Sequence, residues 1–207
     1  MSDLGFDRTT LPYGIFSAGG EKRIGVAVGD GVLDLAEHLD GRFAADSLNA
    51  FMAEGPASWA AVRAQVQGLV DRPLLPLSSG VELHLPFEVA DYVDFYASEQ
   101  HATNLGKMFR PDGEALLPNW KHLPVGYHGR AGTVVVSGTD VVRPRGLTLP
   151  GPEHRPSAKL DVEVELGFVV GVGSSLGSPV TTGKFADHVF GVVILNDWAA
   201  RDIQSYE

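Results

Sequence analysis

The chain has 207 residues, 44% of them apolar and 20% charged, the ordinary composition of a globular protein with one medium domain or two small ones. A formal net charge of −10 argues against a nucleic-acid partner, since gripping phosphates takes clustered Lys and Arg, and the absence of cysteine excludes disulfides and thiolate metal sites and fits a reducing cytosol. Residues 1–5 carry no basic segment followed by an apolar one, so no secretory signal is expected, and the apolar runs fall well short of the roughly 20 residues that span a bilayer.

The first region reads as short strands over 13–16, 23–28 and 32–35, separated by Ala18-Gly19-Gly20 and Gly29-Asp30-Gly31. Paired apolar runs broken by glycine-rich turns are hairpin chemistry. Two helices follow. Leu48, Phe51 and Met52 form one apolar stripe, and Trp59, Val62, Val66, Leu69 and Val70 form another, with Pro56 near the helix start, where its missing N–H costs nothing. Both stripes read as core. The Pro-, Leu- and Ser-rich stretch 72–80 breaks the pattern and reads as a linker.

Beyond it lies Asp91-Tyr92-Val93-Asp94-Phe95-Tyr96-Ala97-Ser98-Glu99-Gln100-His101-Ala102-Thr103-Asn104. Asp94 and Tyr96 share a face if this begins as a strand. Ser98 is an N-cap candidate for a helix carrying His101, Leu105 and Met108. In the first turn the helix dipole disfavours an imidazolium, and a neutral imidazole is what a general base needs. A lone histidine also serves as a structural hydrogen-bond partner or faces water, so both roles stand for His101. Further on, Leu123-Pro124-Val125-Gly126-Tyr127-His128-Gly129-Arg130 either brings two polar aromatic groups close to a ligand or forms a β-turn with Tyr127 packed and Arg130 in solvent.

In Leu160-Asp161-Val162-Glu163-Val164-Glu165-Leu166, three acids occupy alternate positions of a strand, so Asp161, Glu163 and Glu165 share one face and Val162, Val164 and Leu166 the other. Carboxylates gathered at a sheet repel one another unless something positive sits between them, and a divalent cation is the simplest candidate. The alternative is a half-exposed strand with its acids in water. Gly167-Phe168-Val169-Val170-Gly171 is apolar on both sides and is expected to run into a covered sheet, as is the buried strand 189–195. Asn196-Asp197 then gives an N-cap signal, placing one or two helical turns with Asp197, Arg201 and Gln204 on one face. That face is either one wall of a site or a solvated surface carrying an ordinary ion pair.

Together these segments, with Leu117-Pro118-Asn119-Trp120, resemble the fumarylacetoacetase family over more than a hundred residues from about Asp91 onward. The E-x-E and N-D-W-x-x-R-D segments resemble the wider fumarylacetoacetate hydrolase superfamily, whereas the segments around Tyr96, His101 and Tyr127 resemble fumarylacetoacetases specifically. The resemblance implies a mainly β (α+β) fold: an SH3-like β-barrel with helices and linker over 1–80, then over 81–207 the first part of a mixed β-roll catalytic domain whose C-terminal remainder is absent. It implies that Asp94, Glu163, Glu165 and Asp197 hold Mg²⁺ or Ca²⁺. His101 would activate water, Arg110, Tyr96 and Tyr127 would hold the substrate, and Arg201 and Gln204 would stabilise the oxyanion and the departing carbanion. Asp161 has no role in that pattern.

The implied activity is metal-dependent hydrolysis of the carbon–carbon bond of fumarylacetoacetate to fumarate and acetoacetate, in tyrosine and phenylalanine catabolism, by a cytoplasmic homodimer. The expected partner is a small β-diketo acid, with no nucleic acid and no membrane. Alternatives are an acylpyruvase or a 2-keto acid decarboxylase of the same superfamily, or a catalytically silent metal-binding or dimerisation fragment. Family members continue well past Glu207, with a lysine, a glutamate and a threonine of the site still to come, so the chain by itself is expected to be inactive.

Overall fold

The computed structural model describes residues 5–123, 125–148 and 153–206; residues 1–4, read above for a signal, and Pro124 of the Tyr127 segment lie outside the described residues. The chain opens with strands β1 (Tyr13–Ser17), β2 (Arg23–Val28) and β3 (Gly31–Asp34), joined by tight turns in which Gly19 and Gly29 adopt positive φ of 69° and 58°, a region closed to most L-residues. Helices α1 (Leu35–His38), α2 (Asn49–Ala53) and α3 (Pro56–Gln67) follow, α1 capped by the Asp34 carboxylate and α3 opened by Pro56. The stretch 72–80 is not a free linker. Its Leu75–Pro76 strand, β4, pairs with β3, and β5 (Glu82–His84) pairs with β1, giving a five-stranded antiparallel sheet in the order β4-β3-β2-β1-β5. An edge position suits Pro76, which has no N–H to donate to a ladder.

The second half supplies β6 (Val93–Phe95), α4 (Glu99–Phe109), β7 (Gly126–His128), β8 (Arg145–Thr148), β9 (Glu153–Pro156), β10 (Leu160–Val170), α5 (Phe185–His188), β11 (Val189–Ala200) and α6 (Arg201–Gln204). Strands β6 and β7 pair, as do β8 with β9 and β10 with β11. The fold is mainly β. Contacts divide it into two compact units, one holding the chain up to Glu88 with Val136–Gly138 and Val164–Asn196, the other holding Val89–Val135, Thr139–Glu163 and the chain from Asp197 on.

In the first unit the predicted stripes are the core. Leu48, Phe51, Met52, Val62 and Val66 are buried with Ile15, Ile24, Val26 and Leu33 from the sheet, and Trp59, Leu69 and Val70 pack against them. Phe190, brought in by β11, contacts Phe51 edge-on at 5.6 Å and Trp59 at 5.4 Å between ring centroids. Such pairs add about 0.5–1.5 kcal/mol each beyond their buried area.

In the second unit Ile203 of α6 lies over Gly146 of β8, and the Asp202 carboxylate accepts from Ser157 Oγ (2.6 Å) and the Ala158 N–H (2.8 Å). These bonds moor α6 to the segment leading into β10. Helix α4 approaches the backbone of Ala115 so closely at Gly106 that a Cβ there would overlap the carbonyl. Only glycine fits.

Two expectations are corrected. The helix expected to begin at Asn196-Asp197 begins at Arg201, because β11 continues through Ala200 against β10, and a sheet ladder satisfies the backbone of 197–200 better than a fresh cap does. The covered sheet expected for 167–171 and 189–195 is covered on one side only. On the other, Val164 and Ile194 are each 76% exposed, and Leu166, Phe168, Val170 and Val192 are exposed with them, no second layer lying over them among the described residues. Two of the three acids also lie the other way from the solvated alternative: Glu163 and Glu165 are half-buried, Asp161 stays exposed, and the apolar face meets water.

Candidate metal and active site

The β6–β7 ladder places Asp94 directly opposite Tyr127, and side chains directly opposed across a ladder share a face. The pair is clamped at both ends: Tyr96 N–H donates to Val125 O (3.1 Å), Gly129 N–H donates to Tyr92 O (2.8 Å), and His128 Nε2 lies 2.6 Å from Asp91 Oδ1. The hydrogen bond from His128, with a further one from the Tyr92 backbone, holds the Asp91 carboxyl below its ordinary range.

Three residues past β6, Ser98 caps α4 as expected, its hydroxyl accepting from the His101 N–H. The cap fixes where the helix starts and hence where His101 points. Its ring stands edge-on to Tyr96 (5.8 Å between centroids), and Tyr96 stands edge-on to Tyr127 (6.4 Å). Burial first, and the neighbouring Tyr127 second, push the Tyr96 phenol above its usual range, with Arg110 opposing. Arg110 ends α4, where Nε and NH2 donate to the carbonyls of Glu114 (3.2 Å) and Ala115 (2.7 Å).

From the other side β10 presents Glu163, whose Oε2 lies 3.5 Å from His101 Nε2. Its other oxygen accepts from Arg201 NH2. The Arg201 side chain is only 10% exposed, its Nε donates to Asp161 (2.9 Å) and its NH1 to Gln204 (3.0 Å). Burial works against the guanidinium charge, but the hydrogen bonds to Glu163 and Asp161 outweigh it and hold Arg201 above its usual value. Arg201 and Gln204 are therefore one turn apart on α6, while Asp197 is on β11.

Asp94, Glu165 and Asp197 each offer a carboxylate oxygen, and the three oxygens lie within 4.8 Å of one another. That spacing suits one hard cation, since Ca–O distances of about 2.3–2.6 Å put ligand oxygens up to roughly 5 Å apart around it. Of the four acids expected to bind metal, these three converge, and Glu163, bonded to Arg201, is near enough to raise both Asp94 and Asp197. Both aspartates are pushed above the usual carboxylate range, first by burial and then by neighbouring carboxylates. All-oxygen donors, partly desolvated and mutually repelling, fit a divalent cation.

The raised values have a consequence for stability. In the unfolded chain Asp94 and Asp197 lose their protons at ordinary pH values, whereas in the fold they hold them to higher pH. Their contribution is thus complete below the ordinary carboxylate range and is lost as pH climbs through the raised values. Thermal melts of metal-stripped protein over about pH 4–7 should fall with rising pH from these two groups, and saturating Mg²⁺ should remove that decline. A pH profile unaffected by Mg²⁺ would count against a cation at these carboxylates.

Asp161 joins the site through a contact that sequence alone did not reveal. The signal was present in the shared face of Asp161 and Glu163, but the partner, Arg201, is forty residues away. The Asp91–His128 pair was likewise legible only once β6 and β7 were paired.

Residues 91–207 match the family described as fumarylacetoacetate (FAA) hydrolase C-terminal, and residues 9–86 match fumarylacetoacetase N-terminal. The chain is 45% identical to the fumarylacetoacetase of Rattus norvegicus and 44% identical to that of Homo sapiens, in each case over 99% of this chain and 56% of the relative. It is 41% identical to the fumarylacetoacetase of Arabidopsis thaliana over 100% of this chain and 56% of that one. It thus spans little more than half the length of these curated relatives. A solved fumarylacetoacetate hydrolase from psychrophilic Exiguobacterium antarcticum superposes with a TM-score of 0.52 at 19% identity, over 95% of this chain and 58% of that one, which is a likeness of fold. Since the C-terminal family match alone takes in more than half of its residues, the chain belongs to the fumarylacetoacetate hydrolase family.

Proposed function

We propose that the full-length gene product hydrolyses the carbon–carbon bond of fumarylacetoacetate, giving fumarate and acetoacetate. The observation that carries this reading is the gathering of His101, Tyr96 and Tyr127 beside Glu163, Arg201 and the carboxylates of Asp94 and Asp197. Asp94, Glu165 and Asp197, with Glu163 as a fourth carboxylate, would hold a Mg²⁺ or Ca²⁺ ion, which when bound would supply Lewis-acid polarisation of the substrate carbonyl. His101 accepts a proton from the water that adds to the carbonyl under attack. The Tyr96 and Tyr127 hydroxyls and the Arg110 guanidinium bind the substrate's carboxylate and keto oxygens. As the bond breaks, its electrons pass to the acetoacetate fragment as an enolate, which then takes up a proton to balance the one His101 accepted from water; Arg201 meets the charge as it develops while Gln204 fixes the guanidinium.

The same proposal makes the first region an SH3-like barrel over 1–80 and the remainder, 81–207, the start of a β-roll. It places the enzyme in tyrosine and phenylalanine catabolism, as a cytoplasmic homodimer without nucleic-acid partners. The net charge of −10 supports that last point. Among the described residues no helix is long and apolar enough to cross a membrane.

An acylpyruvase or 2-keto acid decarboxylase would share the acidic cluster, but the Tyr96–His101–Tyr127 group favours the diketone. The test is a substrate panel on the full-length gene product: fumarylacetoacetate, acylpyruvates and oxaloacetate. Fumarylacetoacetate should give the highest kcat/KM. A higher value for either other class would overturn the assignment. The uncovered apolar face of β10–β11 favours a second reading for the 207-residue chain taken alone, that of a silent fragment awaiting a partner.

A further inference from the structure

We infer that Asp161 is a positioning residue that shares the Arg201 guanidinium with Glu163 and so leaves part of the Glu163 charge available to a divalent cation; this rests on the site proposed above. The alternation of β10 puts Asp161 and Glu163 two residues apart on one face, about 7 Å along the strand. A guanidinium can bridge that gap, because its donors point outward in a fixed fork. Arg201 does so: Nε goes to Asp161 at 2.9 Å, NH2 to Glu163, and NH1 to Gln204 at 3.0 Å.

The two carboxylates are not equivalent. Asp161 is 53% exposed, whereas Glu163 is half as exposed and stands on the same strand face between Asp161 and Glu165, one of the three converging carboxylates. Every share of the guanidinium that Asp161 takes is charge that Glu163 can offer to a metal ion instead. With Asp161 gone, a nearly buried cation whose remaining partners are Glu163 and an amide settles on Glu163. That shift neutralises a candidate ligand and also moves Arg201 from where it meets the substrate. Asp161 touches neither metal nor substrate; it acts through Arg201.

The test is a double-mutant cycle in the full-length gene product, with Asp161→Ala, Arg201→Ala and both together. Mg²⁺ affinity is read by calorimetry, and kcat and KM for fumarylacetoacetate are read alongside. Asp161→Ala should weaken Mg²⁺ about tenfold and lower kcat about tenfold with KM within about twofold, while in the Arg201→Ala background it should change Mg²⁺ affinity by less than about twofold. Asp161→Asn keeps an acceptor for Nε and should recover part of both losses. Equal losses of Mg²⁺ affinity in both backgrounds would mean that Asp161 acts only by its negative charge, and no loss in either would make it a surface ion pair; each overturns the inference. The same holds if no variant, nor the unaltered protein, binds Mg²⁺. If the metal cycle behaves as expected but fumarylacetoacetate is not turned over, the substrate assignment fails and the role of Asp161 stands.

Discussion

Replacing His101 by alanine in the full-length gene product should lower kcat for fumarylacetoacetate by roughly 10²–10⁴, the usual worth of a positioned general base, with a much smaller change in KM. The expectation comes from how firmly the ring is placed. Ser98 fixes the first turn of α4, Tyr96 meets the imidazole edge-on, and Glu163 approaches Nε2 to 3.5 Å. The variant should fold normally, since His101 is half-buried at a helix start and its removal leaves the Ser98 cap in place: that cap accepts from the backbone N–H, which alanine keeps. Near-normal turnover in this variant would remove His101 from the mechanism.

An effect at least as large is expected when the 207-residue chain is expressed by itself: little or no hydrolase activity, with self-association or aggregation. The outer face of β10 and β11 carries Val164 and Ile194 at 76% exposure, flanked by Leu166, Phe168 and Val192. A contiguous apolar stripe of this kind calls for a covering layer. Both strands also have no further strand beside them in their sheet among the described residues, so each is an edge strand. The curated relatives are nearly twice as long as the stretch they share with this chain, and catalytic groups that act as a unit lose far more than a proportionate share when some are missing. Light scattering and dye binding should report association and exposed apolar surface. A monodisperse chain with a cooperative unfolding transition, turning over the diketone at a rate comparable with the full-length form, would show that nothing beyond these residues is needed.

Much of this architecture was legible where the signals are local. The turns at Gly19 and Gly29, the apolar stripes of α2 and α3, Pro56 at the start of α3 and the Ser98 cap all depend on residues within one or two turns of each other, and all are found. The alternating acids of β10 likewise indicated which carboxylates would share a face. What failed depended on distant partners. Asn196-Asp197 carries a sound local cap signal, yet the ladder with β10 holds the chain extended to Ala200. Leu75-Pro76 looks like linker until β3 is beside it to receive a strand. Neither the sidedness of the β10 sheet nor the grip of Asp161 on Arg201 can be read from periodicity, because each is set by what comes to lie against the strand from forty or more residues away.

The gathering of carboxylates around Asp94 and Asp197 is what joins fold to function, and one measurement addresses it directly. Full-length gene product stripped of divalent ions by chelation should lose its hydrolysis of fumarylacetoacetate, and stoichiometric Mg²⁺ or Ca²⁺ should restore it. In the Asp94→Asn, Asp197→Asn double variant the same additions should restore nothing, because too few of the converging oxygens remain charged to hold the ion. Full activity in the stripped protein, or recovery of the double variant at the same ion concentration as the unaltered enzyme, would contradict a catalytic cation at these residues.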